Sequence, residues 1–221
     1  MPRPARRRPR LHLRLLAGNH PTAHLNGRPV ALTTRRAELL ALLALHPEGL
    51  TAEQLALHIY GEEGNPTTIR AEIHRLRDRL GGVVWAKPYR LRAEVDLDLH
   101  TVRTALHSGR LDTALRMCTG ELLPQSESPT LRAEWDELLV TLRHAVLNQG
   151  EIGPLWSFSQ AEYGSDDLEM FERLIELLPA SDPRHTMATM HYLRLRDDDQ
   201  AHSPSRRSER STTGTRPRHR L

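Results

Sequence analysis

The chain has 221 residues, enough for one or two compact domains. Only 4% are aromatic against 38% hydrophobic, so a core must come from Leu, Ala, Val and Ile, which favours helices. No apolar run approaches the roughly 20 residues that cross a bilayer, no signal-type apolar stretch follows the basic start, and the single cysteine, Cys118, excludes an internal disulfide. The expected setting is therefore a reducing cytoplasm with no membrane partner.

The net charge of +3 conceals an uneven layout. Residues 1–10 carry Arg3, Arg6, Arg7, Arg8 and Arg10 with no acid, and residues 65–92 carry seven cations against Glu72 and Asp78. From about residue 99 to 195 the balance turns acidic, with Glu134, Asp136, Glu137, Asp166, Asp167 and Glu169 among others. One segment is built to meet a polyanion and another is not.

In chain order, the Pro- and Arg-rich start (1–10) has no apolar face and reads as a disordered arm, either a solvated tail, the product of a mis-set start codon or a DNA-gripping extension. Leu11, Leu13 and Leu15 alternate with polar neighbours as in a strand. Asn26-Gly27 is a hairpin turn between two further short strands. Thr33 or Thr34 can cap a first helix that carries Leu39, Leu40, Leu42, Leu43 and Leu45 and stops at His46-Pro47. Thr51 and Gln54 have capping-box spacing for a second helix, closed by Gly61. Asn65-Pro66 opens a third, whose Ile69, Ile73, Leu76 and Leu80 recur at intervals of four, three and four. Gly81-Gly82 ends it, and 83–86 and 89–92 read as a two-stranded ribbon with Lys87-Pro88 at its tip.

Beyond the ribbon the pattern is helical. Leu99, Val102 and Leu106, then Leu111, Ala114 and Leu115, suggest a helical hairpin turning at Ser108-Gly109. Leu131 to Val146 form a long helix, Leu168 to Leu178 another capped by Ser165, and a last helix spans about 183–195. The stretch 196–221 cannot bury a core and reads as a tail.

The expected fold is thus α+β and mostly α: a winged helix-turn-helix (small antiparallel sheet, three helices, wing hairpin) over residues 11–95, then an all-α region over 96–195. The helical part serves either packing alone or a protein-contact or dimer surface. Its acidity argues against DNA there.

The run IRAEIHRLRDRLG (69–81) followed by PYRL (88–91) resembles the recognition helix and wing of OmpR/PhoB-type response-regulator winged helices, with Pro88 where those usually carry Gly. Residues 32–72 are similar, more narrowly, to the C-terminal effectors of actinobacterial regulators that carry a GAF sensor upstream. Gly120-Glu121-Leu122-Leu123-Pro124 resembles the start of the bacterial transcriptional activator domain. The stretch before residue 11 is too short for a GAF or receiver domain, which leaves a sensor supplied in trans, a shortened paralogue or a gene fragment.

The resemblance implies a transcription regulator that binds double-stranded DNA through a helix over about 66–80 lying in the major groove. Matching the motif residue by residue makes Arg75 the first base-reading candidate and Arg70 the second. Thr67, Thr68, His74 and Arg77 are assigned to phosphates, which set docking register rather than sequence. Lys87, Arg90 and Arg92 belong to the wing, gripping minor groove or backbone. Glu72 would repel phosphate unless it accepts from a cytosine or pairs with a neighbouring Arg. Trp85 and Tyr89 are expected to pack on the small core rather than stack on bases.

No enzyme is expected. The 13 His residues are scattered, and the sequence holds no HExxH, no CxxC and no Gly-rich phosphate loop, so neither metal nor cofactor is implied. Cys118 is expected on a helix as a small buried hydrophobe, and Asp166-Asp167 as helix-capping acids. RNA polymerase, or another protein docking on the helical half, and a second copy of the chain are the candidate protein partners. The alternative function is a protein-interaction module whose winged helix has lost DNA binding.

Overall fold

The computed structural model describes residues 8–18 and 20–201. The arm before Arg8 and the tail after Ala201 lie outside the described residues. The chain divides into two compact units, one ending at Ser165 and the other beginning at Asp166.

The first unit opens with β1 (Arg10–Arg14), which sends Leu11 and Leu13 into the core. Arg10 therefore belongs to a strand, not to the expected arm. β2 (Thr22–Leu25) and β3 (Arg28–Val30) follow as an antiparallel hairpin. Its turn works because Asn26 and Gly27 both adopt positive φ, 50° and 79°, which matches the twist of the flanking strands.

α1 (Thr34–Leu45) is capped by the Thr33 hydroxyl and is buried on nearly every side, so it forms the centre of the unit. α2 (Ala52–Tyr60) has the complete capping box: the Gln54 amide donates to Thr51 Oγ1 at 3.2 Å and the Thr51 amide to Gln54 Oε1 at 2.8 Å. The α2–α3 corner depends on Gly64, where a Cβ would lie 2.4 Å from the Ala56 carbonyl oxygen. α3 (Pro66–Leu80) starts where Asn65 Oδ1 accepts from the Thr67 amide at 2.8 Å, and it buries Ile69, Ile73, Leu76 and Leu80. The wing is short: β4 (Val84–Trp85) pairs with β5 (Arg90–Leu91), and its tip is fastened to the α1–α2 loop by reciprocal Leu50–Tyr89 backbone bonds of 2.8 and 2.9 Å.

A fourth sheet strand, β6 (Glu94–Leu97), was not foreseen. It runs parallel to β1, giving the order β3-β2-β1-β6 and making the sheet mixed. Its acids face the bases of β1: Glu94 meets Arg10, and Asp96 meets both His12 and Arg14, each at 2.9 Å. The Arg14 guanidinium, above all, holds the Asp96 carboxyl below its usual range.

Where a border at 95/96 was expected, the chain continues without a break in packing. α4 (Asp98–His107), α5 (Leu111–Met117), α6 (Pro129–Gln149) and α7 (Ile152–Ser159) complete the same unit. The turn at Ser108-Gly109 forms as expected, and Cys118 sits just past α5 as its C-cap. Three buried polar contacts join the winged-helix elements to these helices. The Asp98 carboxylate accepts from the amides of Leu15 (2.6 Å), Leu16 (2.8 Å) and Leu99 (2.9 Å). Glu38, 2% exposed, accepts from Ser126 Oγ at 2.6 Å. Ser128 caps α6 and donates to the His58 carbonyl at 2.7 Å.

In the second unit, α8 (Leu168–Leu177) packs on α9 (Pro183–Ala201). The α8 cap is Asp167, whose Oδ1 accepts from the Met170 amide at 3.3 Å, and not Ser165 as expected. The Ser165 hydroxyl instead donates to the Glu162 carbonyl and closes the preceding 3-10 turn. α9 runs to Ala201, past the expected start of the tail at 196.

One pH effect follows from the α2–α6 contact. His58 stacks on His46 with ring centroids 5.1 Å apart and hydrogen-bonds Thr130 Oγ1 at 2.9 Å. Burial, and secondarily the charge of His46, pushes His58 below its ordinary value. The fold therefore holds His58 neutral, and its contribution is present above the unfolded pKa of about 6.5 and lost as pH falls through the folded one. Glu38 and Asp98, both pushed up by burial, act in the opposite sense, so a comparison with a variant isolates His58. The difference in Tm between wild type and His58→Gln should shrink as pH falls from neutrality towards 5.5. A difference that stays constant over that range contradicts the assignment.

Candidate nucleic-acid interface

α3 packs on α1, α2 and β4 through its apolar stripe. At about 100° per residue, Thr67, Ala71, His74 and Asp78 fall on the line opposite that stripe. Arg70 and Arg77 occupy one shoulder, and Thr68, Arg75 and Arg79 the other. All nine are exposed. The helix thus presents an uncovered face of mostly cationic and small polar residues, and a helix of this width fits the major groove.

The cations on that face differ in their partners. Arg70 pairs with Glu53 of α2 at 2.5 Å, Arg75 with Glu72 at 2.5 Å, and His74 with Asp78 at 3.1 Å. Both candidate base readers are therefore tied to carboxylates, while no carboxylate among the described residues pairs with Arg77, Arg79 or Lys87. Ion pairs between exposed side chains contribute little net stability, so a competing phosphate or guanine edge can displace them. They fix where the two guanidiniums rest without locking them.

An open groove of about 590 Å³ lies between the start of α2, α3 and the wing tip, lined among others by Thr51, Glu53, Arg70, Lys87 and Tyr89. It brings together Arg70 and Lys87, and the positive end of α2 faces the same groove. Arg90 and Arg92 lie elsewhere on the wing, over the Trp85 ring at 5.2 and 3.9 Å. Trp85 is 42% exposed and does not pack on the core as expected. In a two-residue strand its side alternates away from buried Val84. Tyr89 is half-buried, at the tip bridge.

Elsewhere the described residues hold little reactive chemistry. Cys118 is buried, its thiol is pushed up to about 12 by that burial, and it is a poor nucleophile at neutral pH. No group of three or more His, Cys, Asp and Glu side chains among the described residues is placed to hold a metal, and no described helix is long and apolar enough to cross a membrane.

Residues 27–105 match the family model described as "Transcriptional regulatory protein, C terminal". The winged helix is of the transcription-regulator type. Residues 153–201 match a second model, "YTH3-like protein, third C-terminal helical domain". A curated relative, the "Uncharacterized 47.3 kDa protein in thcA 5'region" of Rhodococcus erythropolis, is 32% identical over 175 residues, which cover 79% of this chain and 40% of the relative. The chain thus spans about two fifths of that protein. Among solved structures, Mycobacterium tuberculosis EmbR, determined in complex with a low affinity phosphopeptide, matches with a TM-score of 0.52 at 20% identity, over 86% of this chain and 60% of EmbR. At that identity the likeness concerns the fold, a winged helix followed by a helical region.

Proposed function

We propose that the protein is a sequence-specific, double-stranded-DNA-binding transcription regulator acting in the cytoplasm, with α3 in the major groove. The observation that carries this reading is the uncovered outward face of α3. Arg75 and Arg70 read base edges after exchanging their carboxylate partners for guanine O6 and N7. Thr67, Thr68, His74 and Arg77 meet phosphates, and Lys87, with Arg90 and Arg92, engages the duplex through the wing. The match of 27–105 to a regulator family supports the reading. The similarity of residues 32–72 to GAF-linked effectors suggests that the input signal comes from a sensor outside the described residues. The helical part is the surface on which RNA polymerase, another protein or a second copy would dock. That EmbR was determined with a phosphopeptide agrees with a protein-binding role for a molecule of this fold.

Selection from a random duplex pool with the full chain tests the proposal and should enrich one defined sequence. Affinity for that sequence should fall with salt at a slope of about −0.9 per phosphate neutralised. Arg77→Ala should lower the slope by about one and weaken all sequences alike. No enrichment at low salt would refute the reading.

One observation favours a second reading, a protein-interaction module that no longer binds DNA: Asp78 lies on the outward line and both candidate readers are ion-paired. Failure of DNA binding at low salt together with co-purification of a protein partner would select it.

A further inference from the structure

We infer that the groove between β6, α4 and the start of α5 binds a short amino carboxylate, with the ligand's acid group on Arg110 and its ammonium on Asp96. This goes beyond the DNA-binding reading and does not depend on it, because the groove lies on other elements and its occupancy is measured on the protein alone. The groove is open, has a volume of about 270 Å³ and is lined by Asp96, His100, Thr104, Arg110 and Thr113 among others. That volume is just under the roughly 300 Å³ at which ligand pockets begin, so only a small molecule fits. Leu97 and Ala105, both buried, give the groove its apolar part.

The helical side supplies donors. No carboxylate among the described residues pairs with Arg110, so its fork of N–H groups is available to a ligand carboxylate. Its backbone is fixed over the end of α4: the Arg110 amide donates to the Ala105 carbonyl at 2.8 Å, and the Ser108 amide and hydroxyl donate to the Thr104 carbonyl at 3.1 and 2.8 Å. Thr113 Oγ1 accepts from Arg116 at 3.2 Å and keeps its own hydrogen for a ligand. The β6 side supplies the acceptor. His12 and Arg14 both bond Asp96 Oδ2, at 2.9 Å each, and no described residue bonds Oδ1. Charge then decides the class of ligand. Arg110 is the one fixed cation among the described lining residues. Partial burial, and secondarily the Arg103 charge, pushes His100 down, so it adds no second cation at neutral pH. A second acid group on the ligand would be repelled by Asp96, and a ligand without an ammonium would leave Asp96 Oδ1 unmatched. A short zwitterion satisfies both ends. It also ties the sheet edge to the helices across the junction that Asp98 occupies, so it should raise the Tm.

Calorimetric titration of the full chain with glycine, β-alanine and γ-aminobutyrate tests the inference. At least one of them should bind at a single site and raise the Tm with concentration. Butyrate and succinate, which lack the ammonium, should bind weaker by about tenfold or more. Arg110→Gln, at an exposed position whose side chain makes no cap bond, should weaken the zwitterion by about tenfold or more and leave the melt of the free protein unchanged. Asp96→Asn should bring the zwitterion and butyrate to equal affinity. Because that variant also removes the partner of Arg14, Thr104→Val serves as a second check at an exposed position and should weaken binding severalfold. The bound compound should shift the His100 ring-proton resonances, identified by their loss in His100→Gln. No binding by any of the three zwitterions overturns the inference, as does equal binding of butyrate and succinate, or binding that survives Arg110→Gln. In each of those cases the wild-type protein still selects its duplex sequence, whereas failure of the DNA-binding reading abolishes selection and leaves the ligand titration as it was.

Discussion

Arg75→Ala is expected to reduce discrimination at one base pair of the selected site by roughly 1–3 kcal/mol, about 5- to 150-fold. Arg75 stands mid-helix on an exposed shoulder of α3, at a position from which a guanidinium can present two donors to one guanine. The loss has a second component. Removing Arg75 leaves Glu72, whose side chain is 19% exposed, without its partner and facing a polyanion. Total affinity should therefore fall further than discrimination does. The double variant Arg75→Ala/Glu72→Gln should recover the affinity and not the discrimination, a separation that a double-mutant cycle measures directly. Competition titrations against single-base-pair variants of the site provide the readout. Equal loss against every variant would make Arg75 a phosphate contact.

Asp98→Ala should be the most destabilising of the substitutions considered, by about 2–5 kcal/mol, with a Tm lower by roughly 5–15 °C for a chain of this size. The Asp98 side chain is buried and accepts from three backbone amides, two of them at the far end of β1. Truncation leaves those N–H groups without partners in a site closed to water, and each unmatched group carries a penalty. Asp98→Asn, which keeps one acceptor oxygen, should lose less. A thermal melt followed by far-UV circular dichroism checks both. A Tm for Asp98→Ala within a degree or two of wild type would show that water satisfies the amides and that Asp98 is not the joint between sheet and helices.

The features legible in the sequence were the local ones. The Thr51/Gln54 box, the Asn65-Pro66 start and the stripe from Ile69 to Leu80 each lie within one helix, where spacing alone places the residues. The existence of α6 and α8 followed for the same reason, but the ends of α6 were not placed and the α8 cap was set at Ser165 instead of Asp167. β6 was illegible because four residues carry too short an alternation, and its partner lies 84 positions away. The usable signal was charge: Glu94 and Asp96 alternate just as Arg10, His12 and Arg14 do. α7 was hidden by Gly153 and Pro154 in its first turn. The role of Asp98 as acceptor for a distant strand end has no sequence signature.

At the candidate interface, the exposure of α3 followed from its periodicity, while the Glu72–Arg75 pair is one of the two outcomes that the sequence left open for Glu72. The Glu53–Arg70 pair was not foreseen, because it spans two helices. The position of Trp85 was misread because a large aromatic beside a small core is usually buried. With two arginines covering it, exposure costs less.

The account turns on whether the outward face of α3 enters a duplex groove. Ala71 is exposed at the middle of that face, and the native Cys118 is buried, so Ala71→Cys offers one reactive thiol for a DNA-cleaving iron chelate. Bound to the selected duplex, the labelled protein should cut both strands in one narrow cluster inside the recognised sequence. Cuts spread evenly along the duplex, or confined to its flanks, would contradict the placement of α3 in the groove.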